Sequence, residues 1–207
     1  MEKIIFATGN EHKMIEIRMI LKGLGMDILS QKEAGITADI VEDGRTFEEN
    51  ALIKAKGIAK IAAEDPEYKE AIVLADDSGL EIDYLDKEPG IYSARYMGED
   101  TTYDIKNQAL LERLEGVPDE KRTARFVCAI AAVFSDGTSE VVRGTMEGII
   151  GQRQAGENGF GYDPIFFLPE YGCTSAELSP GKKNELSHRG KGLREMRKII
   201  ENRKVQR

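Results

Sequence analysis

The chain has 207 residues, enough for one domain with or without two lobes, and short for two independent domains. Hydrophobic residues make up 41% and charged residues 32%, so a substantial core is available and wholesale disorder is excluded. Lys and Arg number 29 against 37 Asp and Glu, a formal charge of −8, which excludes a general nucleic-acid-binding field. Any anionic ligand must then be held by a local group of cations and backbone N–H groups.

The longest apolar stretch, Phe126 to Phe134, is nine residues, far below the ~20 needed to cross a bilayer. The opening MEKIIFATGN carries no extended apolar region, so no secretory signal is expected. Two cysteines, Cys128 and Cys173, and two histidines make neither a zinc site nor a disulfide framework; Cys128 reads as a small core residue. A cytoplasmic protein is expected.

Lys3 to Ala7 is a β-branched and aromatic run that predicts a buried strand. Thr8-Gly9-Asn10 breaks it, and Met14, Ile17, Leu21 and Leu24 at helical spacing predict a helix from Glu11 to Leu24, closed by Gly23 and Gly25. Ile28 to Ser30 suits a short strand. Phe47, Ala51, Ala55, Ile58 and Ala62 share one face of a second helix, Phe47 to Ala63, stopped by Asp65-Pro66. Ala71 to Ala75 predicts a buried strand with Asp76-Asp77-Ser78-Gly79 at its C-terminal end, and Leu80 to Leu85 a separate strand. A third helix follows from Thr102 to Leu114. Phe126 to Phe134 and Glu140 to Ile150 form a hairpin across Ser135-Asp136-Gly137, since Asp-Gly supports the positive φ such a turn needs. Gly159 to Asp163 is a glycine- and aromatic-rich loop, Pro164 to Leu168 a short strand, and Lys191 to Arg203 a basic amphipathic helix. Strands alternating with helices give an α/β fold with a mixed sheet.

Five segments carry chemistry, and each has a plain structural reading beside the functional one. Thr8-Gly9-Asn10, with Lys13 one turn into the helix, suits phosphate binding at a helix N-terminus; it equally suits a strand–helix turn with Asn10 as N-cap. Asp76 and Asp77 after a buried strand could hold Mg²⁺ and deprotonate water, or belong to an Asp-rich turn in which Gly79 supplies an unusual backbone angle. Glu49 completes a capping box with Thr46, or serves as a metal ligand in the first turn of its helix. In Gly159-Phe160-Gly161-Tyr162-Asp163-Pro164 the aromatic Phe160 could stack on a base and Asp163 accept from ring N–H groups; alternatively the aromatics fill core. In Lys182-Lys183 with Ser187-His188-Arg189, Ser187 suits the N-cap of the last helix, so His188 and Arg189 fall in its first turn, where cations oppose the dipole unless a ligand offsets the cost; the segment equally suits a solvated basic run, with His188 a satisfied structural histidine. No nucleophile elbow and no Walker loop is present.

The order of the blocks ATGNEHK, FEENALIKA, LADDSGLEID, PGIYSARY, NGFGYDPIF and KKNELSHRGK closely resembles the inosine triphosphate pyrophosphatase family, from Lys3 to about Lys198. The resemblance implies Mg²⁺-dependent hydrolysis of ITP, dITP and XTP to the monophosphate and pyrophosphate, keeping deaminated purines out of DNA and RNA. It implies an elongated mixed sheet flanked by helices, two lobes with a cleft between them, and a homodimer. Carried over by motif, Thr8, Gly9, Asn10, Glu11, His12 and Lys13 would bind the triphosphate, and Glu49 and Asp77 would hold Mg²⁺. Asp77 would also accept the proton, supported by Asp76, with Ser78 touching substrate. Phe160, Gly161, Tyr162, Asp163, Lys183, His188 and Arg189 would form the purine pocket. Glu11 and His12 inside the TGNxxK turn depart from the expected pattern, as do Cys173 and Ser175, which are expected to touch the pocket rim at most. Three other readings compete. A Maf-type nucleotide pyrophosphatase would lack the SHRGK and GFGYDP blocks. A nucleotide sensor without turnover would be expected to have lost a metal carboxylate. A structural or interaction protein would need five coincidences in order.

Overall fold

The computed structural model describes residues 2–205. The chain forms two compact units: the first comprises the chain through Asp77, Cys128–Gly144 and the chain from Arg189, the second Ser78–Val127 and Thr145–His188. Seven strands run in the order β2-β1-β3-β4-β5-β6-β7: β1 Lys3–Phe6, β2 Asp27–Ser30, β3 Ile72–Ile82, β4 Thr123–Val133, β5 Ser139–Ile150, β6 Phe166–Leu168 and β7 Cys173–Thr174. β1 is parallel to both β2 and β3, while β5, β6 and β7 pair antiparallel. The mixed α/β class read from the sequence is therefore the observed one.

In the first unit, α1 (Glu11–Leu21) and α5 (His188–Val205) cover the sheet. Met14, Ile17 and Leu21 of α1 and Leu193, Met196 and Ile200 of α5 pack with Ile4, Phe6, Leu74 and Ile130 of the strands. Each such aliphatic side chain contributes roughly 1.5–3 kcal/mol when fully buried. Helix α2 (Phe47–Ala62) buries the face marked by Phe47, Ala51, Ala55, Ile58 and Ala62, as its spacing requires. The second unit has its own core, in which Leu110 and Leu114 at the end of α3 (Tyr103–Arg113) meet Leu80, Ile82, Phe126, Ile150 and Phe166. Arg122, 1% exposed, clamps this unit by donating to the carbonyls of Leu114, Ile150 and Gly151 at 2.6, 2.7 and 2.6 Å. Three carbonyl dipoles satisfy the donors that burial would otherwise strand.

Three departures from the sequence expectation bear on the site. Asp76-Asp77-Ser78-Gly79 is not a turn between two strands but lies inside the single strand β3, and Gly79 has no positive φ. Polar residues inside a buried strand read as a break, yet Asp76 is accommodated because cations surround it, as described below. The first helix ends at Leu21 rather than Leu24, with Gly23 at φ +95° leading the chain away. A short helix, α4 (Pro180–Leu186), precedes α5, which itself begins at His188 instead of Lys191. Ser179 caps α4, Pro180 occupies its first turn, and Ser187 in extended conformation separates the two helices. Among the described residues, no helix is long and apolar enough to cross a membrane.

Candidate active site

Helix α1 begins directly beyond the C-terminal end of β1, where α/β sheets gather ligands. Asn10 is its N-cap, accepting from the Lys13 N–H at 3.1 Å, and the Thr8 hydroxyl accepts from the Asn10 N–H at 3.1 Å. The capping reading of Asn10 is thus realised, and a Cβ at Gly9 would meet nothing within 4 Å; Glu11 and His12 are exposed. Thr8 and Gly9 line a pocket of about 370 Å³ together with Gln31, Lys32, Thr37, Asp39, Glu42 and Lys54.

The two aspartates differ sharply in character. Asp76, 1% exposed, accepts both of its oxygens' bonds from Lys13 Nζ at 3.0 Å and further bonds from Arg189 Nε and Nη2 at 3.4 and 3.3 Å. Burial by itself raises its carboxyl, but Lys13, Arg189 and Lys54 outweigh burial and hold it well below the usual carboxylate range. Asp76 is a locked anion. Asp77, half-buried on the next position of β3, accepts from Asn50 Nδ2 at 3.0 Å. Asp77 is pushed up to about 6: burial is the largest cause and Glu42 and Asp76 add to it, against the bond from Asn50 and the charge of Lys54, which lower it. A carboxyl at about 6 beside other acids is suited to accept a proton near neutral pH or to meet a cation.

Lys54 joins these groups. Its Nζ donates to the Asp76 carbonyl at 3.1 Å and pairs with Glu42 at 2.9 Å. Burial lowers its pKa, but Asp76, Glu42 and Asp77 together raise it, so it is a cation facing the acidic pair.

Glu49 is exposed, and its carboxylate accepts the Arg45 N–H at 2.6 Å while Thr46 Oγ1 accepts the Glu49 N–H at 3.1 Å. This is the capping arrangement shifted by one residue, since Arg45 rather than Thr46 donates. The second carboxylate acting on Asp77 is Glu42, and the structure places Glu49 at the helix cap. Glu42 and Asp77 act on each other as like charges, a repulsion that a bound divalent cation would relieve. Among the described residues, no group of three or more His, Cys, Asp or Glu side chains is gathered for a metal.

The second unit holds the other set. Asp163, 3% exposed, accepts Lys183 Nζ at 2.7 Å and the Phe160 N–H at 2.8 Å on one oxygen, and the Ser175 hydroxyl at 2.7 Å on the other. Lys183 Nζ also lies 4.8 Å from the centre of the Phe160 ring. Ser175, expected to touch the pocket rim at most, is fully buried and braces Asp163. Tyr162 donates to the Ser93 carbonyl at 2.7 Å and meets Tyr103 edge-on at 5.2 Å; Asn107 holds the Gly161 carbonyl at 3.1 Å. His188 stacks on Phe126 at 4.9 Å, with planes 17° apart. Ser78 opens this unit on β3, half-buried.

Gly159 sits at φ +82°, and a Cβ there would fall 2.3 Å from Asp163 Oδ2 and 2.9 Å from Lys183 Nζ. Gly159→Ala is therefore expected to spread the Asp163–Lys183 pair and cost about 1–3 kcal/mol. Thermal unfolding checks this, and an unchanged midpoint would show that the loop relaxes around the methyl group.

Arg189 belongs to the first unit. Its Nη1 pairs with Glu16 at 2.6 Å, and its Nε and Nη2 reach Asp76 at 3.4 and 3.3 Å, which ties it to the acidic pair of β3. Sequence reasoning did not single out Asn50, Lys54, Glu42 and Glu16. The i,i+4 spacing of Asn50 and Lys54 on α2 was the available signal, because it sets both on one face. Nothing in the spacing of Glu42 or Glu16 points to their partners.

A sequence model of the Ham1 family matches residues 4–199. The dITP/XTP pyrophosphatase of Clostridium perfringens is 49% identical over 197 residues, covering 95% of this chain and 96% of that protein. The dITP/XTP pyrophosphatase of Vibrio cholerae is 45% identical, covering 99% and 100%. Among solved structures, a HAM1 protein from Coxiella burnetii superposes with a TM-score of 0.85 at 39% identity, covering 98% of this chain and all of that one.

Proposed function

The chain belongs to the Ham1 family, and on that premise we propose that it hydrolyses ITP, dITP and XTP to the monophosphate and pyrophosphate, keeping deaminated purines out of nucleic acids. The observation that carries the reading is the Asp76–Asp77 pair, one carboxyl held as an anion by Lys13 and Arg189 and its neighbour pushed up to about 6. Neighbouring acids driven apart in this way mark an acid–base site. The names of the relatives supply the substrate class.

Attack on the α-phosphorus needs a positioned water, a proton acceptor and a stabilised leaving pyrophosphate. Asp77 takes the proton from the water. Asp76 keeps the Lys13 ammonium oriented, and an ammonium has three donors, so Lys13 retains capacity for a phosphate oxygen. The N-terminus of α1 and the Gly9 N–H offer donors to the triphosphate without doing bond chemistry, while the Thr8 N–H is committed to the Phe6 carbonyl at 2.7 Å. Lys54 supplies a second cation on the pocket wall. Asp77 and Glu42 would hold Mg²⁺, which neutralises phosphate charge and lowers the pKa of the attacking water when bound. In the second unit, Phe160 offers a stacking face, and Lys183 a donor for a 6-keto oxygen that the 6-amino group of adenine would repel. The resemblance carries with it a homodimer in the cytoplasm; sedimentation at micromolar concentration checks the first.

The test is pyrophosphate release from ITP, XTP, dITP, GTP and ATP, each with and without Mg²⁺. Mg²⁺-dependent turnover of the first three with little from ATP is expected; orthophosphate as the product would refute the assigned scissile bond. A paired metal titration separates the two glutamates. Glu42→Gln is expected to raise half-saturating Mg²⁺ about 10-fold or more. Glu49→Gln should leave it unchanged and cost under about 1 kcal/mol of stability, as a weakened cap does. The reverse pattern would return Glu49 to the metal.

A further inference from the structure

Asn50 has no role in the chemistry described so far, yet it is 1% exposed and both ends of its amide are committed. Its Nδ2 donates to Asp77 Oδ2 at 3.0 Å, and its Oδ1 accepts the Gly44 N–H at 2.9 Å. The second bond fixes the amide's orientation, because the oxygen cannot face Gly44 unless the NH₂ faces Asp77. Gly44 lies two residues after Glu42, on the segment that lines the pocket with Ile36, Asp39 and Ile40. One side chain on α2 thus reaches both carboxylates proposed for the metal: Asp77 directly and Glu42 through its loop.

Gly44 itself is built for this contact. A Cβ there would fall 2.7 Å from Asn50 Oδ1, 2.8 Å from Glu49 Cβ and 3.0 Å from Asn50 N. The backbone of the loop therefore approaches the head of α2 as closely as it does only because position 44 has no side chain.

We infer that Asn50 is a positioning residue that sets Asp77 and the Glu42 loop in register for a divalent cation. With Oδ2 of Asp77 held by the amide, Oδ1 is the oxygen left for cation or water. A partner that orients a metal-binding carboxylate typically governs metal affinity or turnover by about 10–100-fold. The inference rests on the proposed metal-dependent hydrolysis but is tested separately from it.

Binding of Mn²⁺ alone to the nucleotide-free protein, followed by calorimetry, is the first readout, and steady-state hydrolysis of ITP the second. Asn50→Ala is expected to weaken Mn²⁺ binding and lower kcat, each by about 10–100-fold, with KM for ITP within about threefold of wild type. Gly44→Ala leaves Asn50 and Asp77 in place but pushes on the amide oxygen from the far side. It is expected to move the same two quantities in the same direction by a smaller factor, and it decides the matter if Asn50→Ala does not fold. Mn²⁺ affinity and kcat both within threefold of wild type would overturn the inference, as would a loss of thermal stability that leaves both unchanged. A wild-type protein that releases no pyrophosphate, while Asn50→Ala still loses Mn²⁺ affinity, would remove the substrate reading and leave the role of Asn50 standing.

Discussion

Asp77→Asn is expected to abolish most turnover, by about 100-fold or more, while making the metal-free protein more stable at neutral pH. The two effects share one cause. Burial pushes the Asp77 carboxyl from an ordinary 3.8 up to about 6, so the folded chain prefers it protonated. A raised carboxyl pKa weakens the fold as pH climbs from about 4 through 6, because the unfolded chain releases that proton first. A rise of this size corresponds to roughly 3 kcal/mol, which partial exposure reduces to about 1–2 kcal/mol. The variant's advantage should be absent at about pH 4 and complete by about pH 7, measured by thermal unfolding in chelator. Asn50 can still donate to the new side-chain oxygen, so no polar group is stranded. Nucleotide binding should persist. Turnover within about tenfold of wild type would remove Asp77 as the proton acceptor, and equal stability at pH 7 would show that its carboxyl carries no burial cost.

Arg189→Met should act on stability first. The guanidinium is 3% exposed and joins Glu16 of α1 to Asp76 of β3. Removing one member of such a buried network leaves uncompensated charge and typically costs about 3–5 kcal/mol. In a chain of this size that corresponds to a fall in thermal midpoint of roughly 6–20 °C. The pH dependence gives an independent check. Asp76 is held well below the usual range, so its contribution is present above about pH 4 and is lost as pH falls through its folded value. With Arg189 gone, Lys13 and Lys54 remain, the folded value rises, and acid unfolding should begin at higher pH than in wild type. A variant with wild-type stability and acid midpoint would mean that the network holds nothing together. Measuring ITP against ATP turnover in the same variant adds a second reading: a relative gain for ATP would place the guanidinium on the base in the complex, as the family resemblance implies.

How far the sequence could be read depended on whether a feature was local. The helices α1, α2 and α3 and the hairpin of β4 and β5 follow from apolar spacing and Asp-Gly chemistry, and all four appear within a few residues of where the pattern puts them. The caps at Asn10 and Thr46 were legible for the same reason, since a cap and its acceptor lie three residues apart. Helix α4 was not legible, because a helix of two turns offers too little periodicity to separate it from a polar run.

Asp76 and Asp77 show where local reading stops. Two acids, a serine and a glycine after an apolar run have every mark of a turn, and the preferences of those residues favour one. The chain instead continues as a strand, because Lys13 and Arg189, 63 and 113 residues away, bring the charge that makes a buried Asp76 tolerable. The same holds for Glu49 and Glu42. Sequence alone offered two roles for Glu49, and only the fold showed its carboxylate at the Arg45 N–H and Glu42 against Lys54.

By itself, then, the sequence determined the fold class, most element positions and the family, because these rest on local spacing and on the order of motifs along the chain. The tertiary structure decided that Lys13 and Arg189 hold Asp76 while burial raises Asp77, that Glu42 pairs with Lys54 while Glu49 serves the helix cap, and that Ser175 braces Asp163. Those properties depend on burial and on charges from distant parts of the chain, and neither exists until the chain has folded.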